Sequence, residues 1–246
     1  MKDIFSVEEK VVVITGGSGF LGKQYVAALS DRGAAVVNWD LETGVDITDP
    51  ASVKMAAGSV IESFGRIDVL INNAAFNPQI GEDQNEDHWA PYESFSSDLW
   101  DRELTINLKG QMLAVQAVAP SMMERKFGSI IFIASDLALI GPQNMIYDPG
   151  RFKDIAYIAS KAGVLGLMRA WAAHLGPYNV RANALAPGGM YRDQPSDFVR
   201  RNSELNMLGR MSREGEYNGP ILFLASEASA YMTGSCLAVD GGRTAW

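Results

Sequence analysis

The stretch VVVITGGSGFLGKQYVAALSDRGAAVVNWD, residues 11 to 40, decides the fold. It opens on a β-branched run, turns through glycines at 16, 19 and 22, continues as the helical pattern KQYVAALSDRG, and returns to a second apolar run, AAVVNW at 34 to 39. Strand, glycine turn, helix and strand in that order make a βαβ unit. The free N–H groups and macrodipole at the start of its helix favour an anion at the turn. The glycines let the chain turn tightly, let its amides approach a pyrophosphate and let the helix pack on the strand. Gly16, Ser18, Gly19, Phe20, Leu21 and Gly22 are therefore the expected phosphate-side residues of a dinucleotide site. A glycine pattern alone also fits an ordinary βα turn; its place between a strand and a helix is what favours the dinucleotide.

Reading outward, the second run ends in Asn38-Trp39-Asp40, some two dozen residues after the first glycine. A carboxylate there can accept hydrogen bonds from the adenosine ribose hydroxyls and would repel a 2′-phosphate at close range. Neither the glycine turn nor the residues directly after Asp40 include Lys or Arg, so the expected cofactor is NAD rather than NADP. The chain then reaches Asp46, in GVDITDP, too soon to hold a helix and a returning parallel strand, a crossover that takes a dozen or more residues. A third strand is thus expected to be shortened or missing. The chain would instead run along the carboxyl edge of the sheet and bring Leu41, Asp46 and Ile47 over the adenine.

Further apolar runs follow: IDVLIN at 67 to 72, SIIFIAS at 129 to 135, VRANALAP at 180 to 187 and SCLAVDGG at 235 to 242, alternating with helix-patterned segments. Each is apolar nearly throughout, as befits strands covered on both faces. The expected fold is α/β: a single Rossmann-like domain over residues 1 to 246, its doubly wound parallel sheet flanked by helices. The 246 residues include 47% hydrophobic and 20% charged side chains and carry a net charge of -8, with no local basic patch. That balance disfavours nucleic acid and anionic membranes as partners. Cys236 is the only cysteine, and the start MKDIFSVEEK lacks the apolar core of a signal peptide, so a soluble cytoplasmic protein is expected.

Two stretches break the rhythm. Residues 76 to 98, FNPQIGEDQNEDHWAPYESFSSD, read as a solvated acidic surface loop; Glu82, Asp83, Glu86 and Asp87 lack calcium-loop spacing, and no metal site is expected. Residues 140 to 155, IGPQNMIYDPGRFKDI, read as a substrate-facing loop. His88 and His174 have no second ligand at metal spacing and read as structural, and Cys236 reads as a buried small hydrophobe.

Tyr157 and Lys161 stand four residues apart, on nearly one face of a helix. An ammonium beside the phenol favours tyrosinate, which makes Tyr157 a proton donor and acceptor. Ser135 ends the strand SIIFIAS, where ligands bind in such sheets, and can hydrogen-bond a substrate oxygen. The combination, with TGGSGFLG, NNAA at 72 to 75, LTINLKG, RANALAPGG and MTGSCLAVDGG, resembles the short-chain dehydrogenase/reductase family, mostly its classical type, along essentially the whole chain. The resemblance implies a catalytic tetrad of Asn107, Ser135, Tyr157 and Lys161, in which Tyr is the general acid/base, Lys holds the nicotinamide ribose, Ser positions the carbonyl and Asn holds a proton-relay water. It also implies Asn73 and Ala74 beside the adenosine side of the cofactor, Pro187 and Gly188 beside the nicotinamide, and a homo-oligomer, dimer or tetramer. The stripe Gly163, Gly166, Ala170 and Ala173 permits the close helix approach of such an interface.

Phe20 stands where the family commonly has its middle glycine, and GGMYRDQ replaces the usual Thr after Pro-Gly, leaving the backbone of Met190 to hold the carboxamide. The 140 to 155 insertion and the ending VDGGRTAW are similar to a subgroup linked to surface-sugar biosynthesis, which implies a secondary alcohol on a sugar or nucleotide-linked sugar as substrate. A 3-oxoacyl-thioester reductase, a nucleotide-sugar epimerase or dehydratase, and a dinucleotide-binding regulatory protein without chemistry stay open as alternatives.

Overall fold

The computed structural model describes residues 3–81 and 85–246. Among these, six parallel strands form one sheet in the order β2-β1-β3-β4-β5-β6: β1 Val11–Thr15, β2 Ala35–Trp39, β3 Val69–Asn72, β4 Gly128–Ile133, β5 Val180–Pro187 and β6 Cys236–Val239. Every apolar run singled out in the sequence overlaps one of them, β4 starting one residue before its run, at Gly128. Side chains alternate across the pleat, so each run feeds two cores. Val11, Val13, Leu70, Ile130 and Phe132 pack on one face against α2 (Pro50–Phe64), α4 (Gly110–Arg125) and α5 (Ile155–Leu175). Val12, Ile14, Ile71, Ile131 and Ile133 pack on the other against α1 (Phe20–Ser30) and α7 (Asn218–Ala225). Two further helices are α3 (Ser97–Leu104), which packs on α5, and, after β5, α6 (Ser196–Ser203).

The doubly wound expectation holds, and so does the missing strand. Residues 41 to 47 form a single 3-10 turn, Leu41–Thr43, capped by the Asp40 carboxylate, and β2 is left as the sheet edge. The chain returns from that edge through α2, whose start is fixed by Asp49 accepting from Ala51 N and Ser52 N ahead of Pro50. It then enters the sheet as β3, on the opposite side of β1 from β2. The reversal opens a crevice beyond the carboxyl ends of β1 and β3, the place where such sheets bind ligands.

The acidic stretch is a correction. Glu82 and Asp83 fall outside the described residues, but the rest is not a freely solvated loop. Glu86–Trp89 and Tyr92–Ser94 are 3-10 turns, and His88 and Trp89 are buried. Trp89 turns this segment inward, since an indole gains more by burial than the neighbouring carboxylates lose by staying at the rim. The Trp89 carbonyl accepts from Phe152 N at 3.0 Å, and its ring meets Tyr147 at 5.8 Å and the Arg151 guanidinium at 4.9 Å. The two irregular stretches thus form one wall.

Candidate active site

A single cavity of about 1040 Å³ follows the crevice. Every residue expected at the cofactor or the catalytic centre lines it except Asn107. Its phosphate side is made by close backbone contact. Gly16 adopts φ +65°, and a Cβ there would lie 2.8 Å from the Ala74 Cα, so the NNAA segment after β3 closes directly over the turn. A Cβ on Gly22 would overlap the Gly16 carbonyl oxygen, which is why α1 starts so near β1. No side chain caps α1 and no acid stands in its first turn, leaving its amides for an anion. These features fit a dinucleotide diphosphate. Asn73 braces the turn, its amide nitrogen donating to the Thr15 carbonyl at 3.0 Å and the Gly16 carbonyl at 2.9 Å.

At the end expected to hold the adenosine, the Asp40 carboxylate accepts from Ser18 N at 3.1 Å and Glu42 N at 3.2 Å. Leu41 is exposed and Asp46 holds Thr48 through two hydrogen bonds. Ile47 lines the cavity, but its side chain packs into the core against Gly110.

At the other end Tyr157 sits in the first turn of α5, whose start is set by Asp154 accepting from Tyr157 N at 2.9 Å. Ser135, at the end of β4, lies beside the phenol. Lys161 is 2% exposed, donates to the Ile133 carbonyl at 2.6 Å and lies 5.6 Å from the Tyr157 ring centre. The electrostatics correct one expectation. Burial, not an ammonium, dominates here: it pushes the Tyr157 phenol well above its ordinary value, against a downward pull from the Ser135 hydroxyl. Lys161 is itself lowered to about 7, because its amine is stripped of water and has only a carbonyl for a partner. The ammonium nearest the phenol ring is that of Lys153, 4.5 Å from its centre.

Asn107 lies in a five-residue π-helical segment, Thr105–Lys109, inserted between α3 and α4. Such bulges recur at functional sites. Its side chain is fully buried and engaged, donating to the Phe76 carbonyl at 2.9 Å and to Ser160 Oγ at 3.2 Å while accepting from Phe76 N at 2.7 Å. It ties the strand β3 loop to the helix that carries Tyr157 and Lys161.

Several lining residues escaped the sequence reading. Lys153 lies 4.5 Å from the Tyr157 ring centre and donates to Asn77 Oδ1 at 2.6 Å. Asp136 accepts from Ser135 Oγ at 2.8 Å and from Leu137 N at 2.9 Å, and its other oxygen lies 3.3 Å from Arg243 Nε. Trp89 and Tyr147 close the wall. Asp136, next to Ser135, was open to view in the letters; Arg243, beyond the last strand, had only the preceding Gly-Gly to signal a returning turn. Glu103 on α3 is fully buried against Asp154, and burial with that neighbouring carboxylate pushes it up to about 9.

The family model described as enoyl-(acyl carrier protein) reductase matches residues 5–244. The trans-4-hydroxycyclohexanecarboxylate dehydrogenase of Sinomonas cyclohexanicum is 35% identical over 97% of this chain and 94% of its own. A short-chain dehydrogenase from Leptospira borgpetersenii with bound NAD+ superposes with a TM-score of 0.89 at 27% identity, covering 99% of this chain and 96% of that one. A gluconate 5-dehydrogenase from Burkholderia cenocepacia in complex with NADP and tartrate gives 0.85 at 27%, covering 99% and 98%. No described helix is long and apolar enough to cross a membrane. With the glycine turn, the strand-end serine and the Tyr157/Lys161 pair gathered in one crevice and the match running over nearly its full length, the chain belongs to the short-chain dehydrogenase/reductase family.

Proposed function

We propose that the protein is an NAD-dependent dehydrogenase of a small, polar, sugar-sized secondary alcohol, working as a homo-oligomer. The observation that carries the reading is the convergence of Ser135, Tyr157 and Lys161 at one end of a cavity whose other end is a glycine turn. The nicotinamide, when bound, supplies the acceptor for the hydride that leaves the carbinol carbon. The protein does the rest. Ser135 holds the substrate oxygen, and Tyr157 Oη takes the hydroxyl proton as the carbonyl forms while its own phenolic proton leaves toward the neutral Lys161 amine. Lys161, poised near neutrality, can pass that proton on toward solvent. Asn107 keeps this helix in place against the β3 loop.

The choice of NAD rests on charge. Asp40, Glu42 and Asp46 line the adenosine end together, and this local negative charge would repel a 2′-phosphate. Among the relatives, one structure holds NAD+ and another NADP, so this feature of the chain itself carries the preference. A sugar-sized substrate is favoured by the polar and aromatic lining that Trp89, Tyr147 and Lys153 give the catalytic end, which offers ring faces and a hydrogen-bond donor rather than an apolar channel for a long acyl chain. The exposed stripe of Gly166, Ala170 and Ala173 on α5 suits contact between subunits.

The test is a panel of sugars, polyols, hydroxy acids and acyl thioesters followed by reduced-nicotinamide absorbance with NAD and NADP in parallel. Y157F should lower kcat at least about a thousandfold while NAD binding, read by protein fluorescence, stays within about threefold. A variant that turns over at the native rate, or a native preference for NADP, would overturn the reading.

A further inference from the structure

Arg243 is the least explained charge in the molecule. It is 5% exposed and stands in the C-terminal 3-10 turn, which two left-handed glycines, Gly241 at φ +68° and Gly242 at φ +87°, fold back over the cavity. The turn is rigidly built. Asp240 accepts from Gly242 N at 3.0 Å, Thr244 N at 2.9 Å and Thr244 Oγ1 at 2.6 Å, and a Cβ on Gly188 would lie 2.8 Å from the Asp240 Cα. The segment that carries Arg243 is thereby locked to the strand end expected to hold the nicotinamide.

Within the turn, only Nε of the guanidinium has a counter-charge, Asp136 Oδ2 at 3.3 Å. Asp136 divides its own acceptors among the Ser135 hydroxyl, the Leu137 amide and this contact. The Nη groups have no hydrogen-bond partner among the described residues, and the residue lines the cavity shared by Ser135 and Tyr157. Nε is buried and makes no hydrogen bond, whereas the Nη edge is not sealed from the cavity, and such a fork matches a planar carboxylate through two parallel hydrogen bonds. The ends of the cavity also differ in charge. Asp40, Glu42 and Asp46 line the adenosine end, whereas Lys153 and Arg243 stand with Tyr157 at the catalytic end.

We propose that Arg243 is the substrate-anchoring residue, and that the alcohol oxidised at Tyr157 carries a carboxylate which docks on the Nη edge of this guanidinium. The inference rests on the dehydrogenase reading above and narrows it from polar alcohols to hydroxy acids. Asp136 acts in two directions: it holds the guanidinium in place and orients the Ser135 hydroxyl, so anchor and catalytic group are set by one side chain.

Two matched pairs of probes test this: trans-4-hydroxycyclohexanecarboxylate against its carboxamide, and gluconate against glucitol. The native enzyme should prefer the acid of at least one pair by tenfold or more in kcat/KM. R243Q should raise KM for that acid about thirtyfold, with kcat and the neutral analogue within about threefold. R243K, which keeps a charge for Asp136 and so guards against misfolding, should recover part of the loss. Calorimetry with cyclohexanecarboxylate, which cannot react, should show the same dependence on Arg243 without turnover. Equal losses for acid and neutral probe would overturn the proposal and leave Arg243 as a support for Asp136. Native oxidation of neutral sugars or polyols in preference to both acids would overturn it while sparing the dehydrogenase. Failure of every alcohol with either nicotinamide would sink the dehydrogenase reading, and the calorimetry would then decide Arg243 on its own.

Discussion

At the adenosine end of the cavity, the glycine turn, Asp40 and Asp46 come from one continuous stretch, residues 16 to 46, and shape the site mostly through backbone. At the catalytic end, Trp89, Asp136, Lys153, Tyr157 and Arg243 come from segments far apart in the chain and act through side chains. The first end is steric: it works because certain Cβ atoms are absent. The second is electrostatic: buried charges are held by a few polar side chains and carbonyls, and removal of a partner leaves another group exposed to the cost of burial. Mutation should separate the two.

The largest effect on cofactor affinity is expected where backbone meets backbone. In G22A the new Cβ would overlap the Gly16 carbonyl oxygen and lie 2.7 Å from the Gly17 Cα, and neither neighbour is a side chain that could swing aside. The turn must open. NAD affinity should fall about a hundredfold, equivalent to about 3 kcal/mol, as read by fluorescence titration. G58A is the counterpart: Gly58 is exposed in α2 with nothing within 4 Å of its would-be Cβ, so the change should leave NAD binding alone and stabilise the fold by about 1 kcal/mol. If both variants bind NAD normally, steric closure is not what builds the adenosine end.

This contrast explains what could be read from the letters. Residues 11 to 40 disclosed a strand, turn, helix and strand because their constraints are local, and the short link to Asp46 disclosed the absent strand because chain length is a local quantity too. Tyr157 and Lys161 were legible as a helical pair. The sign of their electrostatics was not, because it depends on burial supplied by α3, the β4 end and the two irregular stretches. Trp89 was hidden among acidic neighbours, and its burial depends on Tyr147 and Phe152, residues of a separate segment. Arg243 and Asp136 meet only because β4 and β6 end on the same edge of the sheet.

An intermediate effect should come from pH, which reaches the catalytic end through two groups of opposite sign. Glu103 is raised from 4.5 to about 9, so the folded chain keeps a proton that the unfolded chain releases. Its contribution is present at acid pH and is lost as pH climbs from about 4.5 to about 9, by at most about 1.4 kcal/mol per pH unit. Lys161 is lowered from 10.5 to about 7, so its burial penalises stability below that range and relaxes as pH rises from about 7 to about 10.5. Between pH 7 and 9 the two slopes oppose each other. Without added nicotinamide, the native Tm should be nearly flat there, whereas that of E103Q should rise with pH. Parallel profiles for the two proteins would show that the Glu103 proton is not held by the fold.

The smallest effect should be at the rim of the same end, where charge meets water. Glu86 pairs with Arg151 at 3.1 Å, but its side chain is 73% exposed. A pair so hydrated contributes little, and E86Q should cost less than about 0.5 kcal/mol, a Tm change within about 2 °C. The wall should survive, since Arg151 still lies over the Trp89 ring and Phe152 N still donates to the Trp89 carbonyl. W89A removes what the ion pair only decorates, a side chain 1% exposed, and large-to-small changes of that kind cost about 3–5 kcal/mol. Should E86Q instead destabilise the protein as much as W89A, the wall would be held by its surface charges rather than by its buried rings, and the division drawn between a steric and an electrostatic end would have to extend out to the rim.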